Sequence, residues 1–167
     1  MMKFKSMAAF IAHLKRVEAS LEGEFLKAMT KGATVIRIRA WHKIGEYQEQ
    51  SGEFQAWRHL TQETILQRVR EGYEPNDPLL RSGDLRASIA QSTSGTYTRR
   101  IASYKSVVGS PLMVAVWMER GTHNKNGIQV NPPRSFLGAS AFEKAPVVVD
   151  AIAGGIVSAL CGIPIVL

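Results

Sequence analysis

Apolar residues recur at intervals of three or four along the start of the chain: Phe10, Leu14, Val17, Leu21, Phe25 and Ala28. That spacing predicts one apolar stripe on a long helix, with Lys15, Glu18 and Glu22 on its other faces. Ser6 stands at the N-cap position, and Gly32 is placed to end or bend the helix. Residues 34–47 fit two patterns. Val35, Ile38, Trp41 and Gly45 have helical spacing, whereas Ile36, Ile38 and Ala40 alternate with Arg37 and Arg39 as in a strand. The helical reading is adopted. A polar loop over residues 47–52 leads to a second predicted helix over residues 61–71, with Ile65, Leu66 and Val69 inward and Gly72 closing it.

Two prolines and the Asn76-Asp77 pair leave residues 72–78 no regular path, so a turn is predicted there. Ser82 is placed to cap a short helix with Asp84 in its first turn and Leu85 and Ile89 on its apolar side. From residue 91 the pattern changes to short β runs. Residues 91–97 are polar, while residues 101–108 and 113–119 read as stronger strands joined by a turn at Gly109, Ser110 and Pro111. Residues 121–134 form a loop, and a last helical region begins near Ser135 and is interrupted at Pro146. The pattern is that of an α+β protein: residues 1–46 form an N-terminal helical arm on a core of residues 47–167, arm and core together making one domain.

Charge adds a division along the chain. Residues 1–43 hold nine Lys/Arg against three Glu, and residues 99–134 hold six against one. Between them, residues 44–98 hold five against eight acidic residues. Basic segments around an acidic one fit contact with a polyanion or complementary faces in an oligomer, and a plain solvated surface gives the same pattern. Cys161 is the only cysteine, so no internal disulfide is possible, and its apolar setting reads as a buried small hydrophobe. Residues 151–167 carry no charge, but Gly154, Gly155 and Pro164 interrupt them. Burial against a sheet or a neighbouring subunit is the expectation there, with a membrane tail anchor as the alternative.

Three segments in order carry a resemblance. They are residues 78–89 (PLLRSGDLRASI), then Val108-Gly109-Ser110 followed by residues 115–122 (AVWMERGT), then residues 132–138 (PPRSFLG) before a helix. Together they resemble the tail-completion, or neck, proteins of long-tailed bacteriophages and the related virion morphogenesis proteins. The run Ile44 to Gln48, with Trp57 and Leu60, is similar to one branch of that group. Ser135 stands where the family commonly has a second proline, and the long basic N-terminal helix and the apolar C-terminus are further departures. The resemblance implies helices packed on a small antiparallel sheet and a ring of six copies at the virion neck. That ring would join the tail terminator and tail tube to the head-closure or connector proteins, after assembly in the host cytoplasm. A tail terminator or head-closure subunit is the nearest alternative.

The resemblance gives Leu80, Ser82, Gly83, Leu85, Ile89, Gly109, Glu119, Gly121, Pro133, Phe136 and Leu137 structural roles. Exposed turns on a rigid scaffold are where partners reach, which puts Tyr73, Asn76, Asp77, Arg120, Thr122, His123, Asn124, Lys125 and Arg134 at partner interfaces. In a ring around the genome's channel, Arg37, Arg39 and Lys43 would face DNA; pairing with the acidic stretch of a neighbour is the other reading. Trp41, Trp57 and Trp117 are read as core or interface anchors. His13, His42, His59 and His123 form no metal pattern with cysteine, and no phosphate loop or nucleophile elbow appears. No cofactor, metal or catalytic residue is therefore expected. A sequence-independent DNA-binding protein is the alternative from another class, and a membrane-associated protein using residues 151–167 is a third.

Overall fold

Ser6 opens the first helix, α1 (Met7–Lys43), its Oγ accepting from the Ala9 amide at 3.1 Å. The computed structural model describes residues 6–90 and 106–161. The predicted strand over residues 101–108 lies largely outside them, as do Arg99, Arg100, Lys105 and Pro164. At 37 residues, α1 is about 55 Å long, and it passes through Gly32 without ending. The reason is its partner, α5 (Leu137–Cys161), which runs antiparallel along it: Glu24 meets Gly155, Gly32 meets Val148, and Arg39 meets Glu143. A Cβ on Gly32 would come within 3.0 Å of Val148 Cγ1, and one on Gly155 within 3.3 Å of the Glu24 carbonyl oxygen. Apart from Lys43, the buried positions along this seam are small, with Ala28, Gly32, Ala33 and Ala40 on α1 and Ala139, Ser140, Gly155, Ser158 and Ala159 on α5. Small side chains bring the two backbones together, so Gly32 acts here as a packing residue.

The predicted apolar stripe is buried only at its end. Ala28 is 5% exposed, while Phe10 and Leu14 are 38% and 49% exposed. Since Glu24 already faces Gly155, the first turns of α1 reach beyond the described end of α5. Pro146 does not interrupt α5. It is exposed, and Glu143 before it and Val148 after it are both fixed to α1, which carries the helix past the missing hydrogen bond. Cys161 is exposed, not buried.

A second packing centre forms where α1 ends. Ala40 and Ile44 meet Trp57, then Leu85 and Ile89 of α3 (Asp84–Ala90), Ala115 of α4 (Met113–Arg120), and Phe136 just before α5. Arg86 of α3 stacks its guanidinium 3.7 Å from the Trp41 ring centroid, tying α3 to α1. The segment predicted as a strand over residues 113–119 is α4. Its inward residues are Val114, Ala115 and Met118, a helical spacing, while Met113, Val116 and Trp117 are exposed. Trp117, at 50% exposure, is no core anchor.

The sheet lies elsewhere: β1 (Thr122–His123) and β2 (Gln129–Asn131) pair antiparallel within the loop predicted over residues 121–134. The chain is thus α+β, with a long N-terminal helix and a small two-stranded antiparallel sheet. The second predicted helix is α2 (Gln62–Arg70), capped by Thr61. Its inward face is only partly the predicted one, since Ile65 is half-buried. Leu66 and Val69 are 47% and 57% exposed, and Arg68 is buried instead.

Candidate functional site

The three segments that carry the family resemblance meet at one junction, the N-terminus of α5. The Glu119 carboxylate, at the end of α4, accepts from the amides of Phe136 (3.0 Å), Leu137 (3.1 Å) and Gly138 (2.6 Å), and from Ser135 Oγ at 2.5 Å. Ser135 Oγ in turn accepts from the Ala139 amide at 3.2 Å. Four N–H groups open every helix without an intrahelical partner, and here two side chains satisfy all four. A carboxylate at that end also complements the helix dipole. Ser135 therefore has a use that a proline could not supply. The adjacent Arg134 amide donates to the Met118 carbonyl at 2.6 Å, so the third segment is laced to the second.

Gly121 is what lets the chain turn between them. Its φ of 74° and ψ of 172° lie in a region essentially closed to residues with a Cβ. An added Cβ would also stand 2.8 Å from the Asn131 carbonyl oxygen and 3.0 Å from Pro133 N. Gly121→Ala is expected to destabilise the protein by about 2 kcal/mol, read as a lower urea midpoint with unchanged slope. Gly83, at φ 87°, also has the left-handed conformation, and its carbonyl accepts from Ala87 at the start of α3. The capping position therefore falls to Gly83. Ser82, predicted as the cap, hydrogen bonds to Asp84 Oδ2 at 2.6 Å. Among the described residues nothing lies within 4 Å of a Cβ placed on Gly109.

Of the three residues predicted to face DNA, two are engaged inside the chain. Arg39 Nε and Lys43 Nζ each donate to Glu143 at 2.6 Å, and Lys43, only 2% exposed, also reaches Gln48 Oε1 at 3.1 Å. That corrects the placement of Lys43, which reaches no channel from the interior. Burial raises the Glu143 pKa, but the hydrogen bonds from Lys43 and Arg39 outweigh it and hold the group down to about 2. Their partner is thus α5 of the same chain, and not the acidic segment 46–84. Arg37 is half-buried and also makes an interaction.

The predicted partner residues divide. Tyr73, Asn76, Arg120, His123, Asn124 and Lys125 are exposed, and Asp77 and Thr122 are half-buried. Several have internal duties: Asn76 accepts from Tyr47 Oη at 2.7 Å, Asn124 Oδ1 accepts from Asn126 and Ile128, and Thr122 Oγ1 accepts from Asn131. Arg134 is buried, at 8% exposure, and its Nη2 donates to the Arg58 carbonyl at 3.0 Å.

Arg134 lines a cleft of about 940 Å³ between α2, the turn before α3, the start of α4 and β2. Sequence reasoning missed both the cleft and its second buried arginine, Arg68. Arg68 Nη1 donates to the Asp77 carbonyl at 2.7 Å and reaches those of Glu74 and Leu80 at 3.4 Å, gathering the turn over residues 74–80. Leu79 in that turn has φ 62°, a left-handed conformation that costs a leucine about 1–2 kcal/mol. Burial lowers the pKa of both guanidiniums; for Arg68 the charge of Arg81 adds to it, and for Arg134 the charge of Arg68 does, with Tyr47 opposing. An arginine inside a helix pattern reads as solvated surface, so no signal in the sequence marks Arg68.

Among the described residues no group of three or more His, Cys, Asp or Glu is placed to hold a metal ion. By length and composition α5 could cross a membrane: its most apolar 18-residue window has mean hydropathy 1.6 and is 17% buried. Comparison with family models, curated proteins and solved structures finds no match.

Proposed function

We propose that this chain is a structural subunit of the neck of a long-tailed phage, and not an enzyme. It assembles as a ring, of six copies in the family it resembles, between the tail terminator and the head-closure or connector proteins. The observation that carries this reading is what the motif residues do. Leu85, Ile89, Glu119, Gly121 and Phe136 build one junction of core packing, helix capping and a glycine turn. Residues that a family keeps for shape, and not for chemistry, are expected to be used in this way.

Exposed apolar surface supports assembly. Val149, Val157 and Leu160 on α5 are 62%, 59% and 60% exposed, and Ile11 and Leu14 on α1 are 48% and 49% exposed. A lone soluble subunit rarely leaves so much apolar helix surface in water, whereas neighbouring copies or a partner ring would cover it. The DNA-binding alternative is weakened because Glu143 neutralises one of the two charges of Arg39 and Lys43. The apolar length of α5 favours a membrane as the second reading.

The deciding measurement is the mass of the full chain by light scattering, alone and mixed with phage tails. A hexamer, or a monomer that joins tails at fixed stoichiometry, is the expected result. A monomer that ignores tails and binds DNA in low salt would overturn it. A chain soluble only in detergent, and partitioning into vesicles, would overturn it in favour of the membrane.

A further inference from the structure

The cleft beside α2 is short of counter-charge. Four arginines line it, Arg58, Arg68, Arg81 and Arg134, against the single carboxylate of Asp84. Arg81 is ion-paired with Glu71, and Arg68 is taken up by backbone carbonyls. Arg134 has neither kind of satisfaction in full. It is 8% exposed, its Nε is buried with no hydrogen-bond partner, and among the described residues no carboxylate lies within ion-pair distance of it. A guanidinium removed from water without an opposite charge is costly, and its forked donors match a carboxylate.

The floor of the cleft narrows the choice of anion. Leu85, Val114 and Met118 line it beside the arginines. A nucleic-acid backbone brings no apolar surface to such a floor and gives up its hydration to enter, whereas a peptide segment brings both a carboxylate and carbon.

We propose that this cleft takes a glutamate of the acidic loop, residues 46–53, from a second copy of the chain. Glu46, Glu49 and Glu53 are all exposed, and no Lys or Arg lies between Ile44 and Trp57. A bridge between Ser51 and Phe54 folds the loop into a tight tip. None of residues 46–53 lines the cleft, so donor and acceptor are distinct patches of one subunit. A contact between unlike surfaces repeats head to tail and closes into a ring where the rotation permits. The inference rests on the ring reading above, and its test separates the two.

The test uses the full chain and reads assembly mass against concentration. The wild type is compared with Glu46→Lys/Glu49→Lys/Glu53→Lys, which changes only exposed side chains, and with Arg58→Glu/Arg134→Leu in the cleft. Each variant alone is expected to assemble at least about tenfold more weakly. Mixed in equal amounts they are expected to associate, because the intact cleft of one meets the intact loop of the other. Added salt weakens assembly of the wild type by screening the pair. A loop variant that assembles like the wild type overturns the contact, whatever becomes of the cleft variant's fold, and leaves the ring standing on another surface. A wild-type chain that is monomeric at every concentration also overturns it, while the neck reading is then decided by tail binding.

Discussion

Glu143→Ala is expected to destabilise the chain by about 3 kcal/mol or more, the scale for removing one partner of a buried ion pair. The substitution strands Lys43, which is 2% exposed and would keep only the Gln48 side-chain oxygen at 3.1 Å. It also frees Arg39 and removes the only ion pairs between α1 and α5 among the described residues. The same group sets an acid limit. Its pKa falls from an ordinary 4.5 to about 2 on folding, so the folded form binds its proton later than the unfolded form. The stabilisation is therefore present in full above about pH 4.5 and is lost as pH falls towards 2. Urea unfolding of wild type and variant at pH 7 and at steps down to pH 2 checks both points. The two curves should converge in acid, and a variant within about 0.5 kcal/mol of wild type at pH 7 would mean that water reaches Lys43. Lys43→Met/Glu143→Leu is expected to recover much of the loss, because it removes both charges together.

This pair illustrates what the sequence could and could not convey. The stripe from Phe10 to Ala28 has the helical period, and α1 is there. The same arithmetic cannot say which part of the stripe is covered, because that depends on where α5 lies along it. α2 and α3 were legible from Thr61, Asp84 and the spacing of their apolar residues. α4 was not, since the six residues Met113–Met118 are all apolar, and an unbroken apolar run of that length shows neither period. Its three inward residues become distinguishable only once Phe136 and Ile89 are beside them. Pro146 reads as a helix breaker on local grounds, and contacts 100 or more residues away along α1 overrule that reading.

Buried charge was the least legible feature of all. Lys43, Arg68 and Arg134 each lie in sequence surroundings that fit solvent, a channel or a partner. What buries them is an acceptor distant in the chain: Glu143 for Lys43, the carbonyls of the turn over residues 74–80 for Arg68, and the Arg58 carbonyl for Arg134. The resemblance implies structural roles for Glu119, Gly121 and Phe136, which respectively cap α5, turn the chain and fill the core. It placed Arg134 in the same motif, and the cleft that this residue lines gives the position a use beyond backbone shape.

Glu119→Ala is expected to be the other costly change, at about 3 kcal/mol. Each hydrogen bond to a charged acceptor contributes roughly 1.5–3 kcal/mol, and the carboxylate accepts four; water entering the gap returns part of the loss. Glu119→Gln is the sharper test. It keeps the size of the side chain but turns an NH2 group towards N–H donors where an oxygen now accepts, so it should fall close to alanine. If charge and acceptor geometry were unimportant, glutamine would instead match the wild type. Ser135→Ala removes one hydroxyl that both donates to Glu119 and accepts from Ala139, and is expected to cost about 1 kcal/mol. Because the two residues share one network, the double variant should cost less than the sum of the singles. Urea denaturation of the four proteins, with hydrogen exchange at Phe136, Leu137 and Gly138, measures this directly. Loss of protection at those amides in Glu119→Ala, with the rest of α5 unchanged, would locate the damage at the start of α5. A fully additive cycle would instead show that Glu119 and Ser135 hold the helix independently.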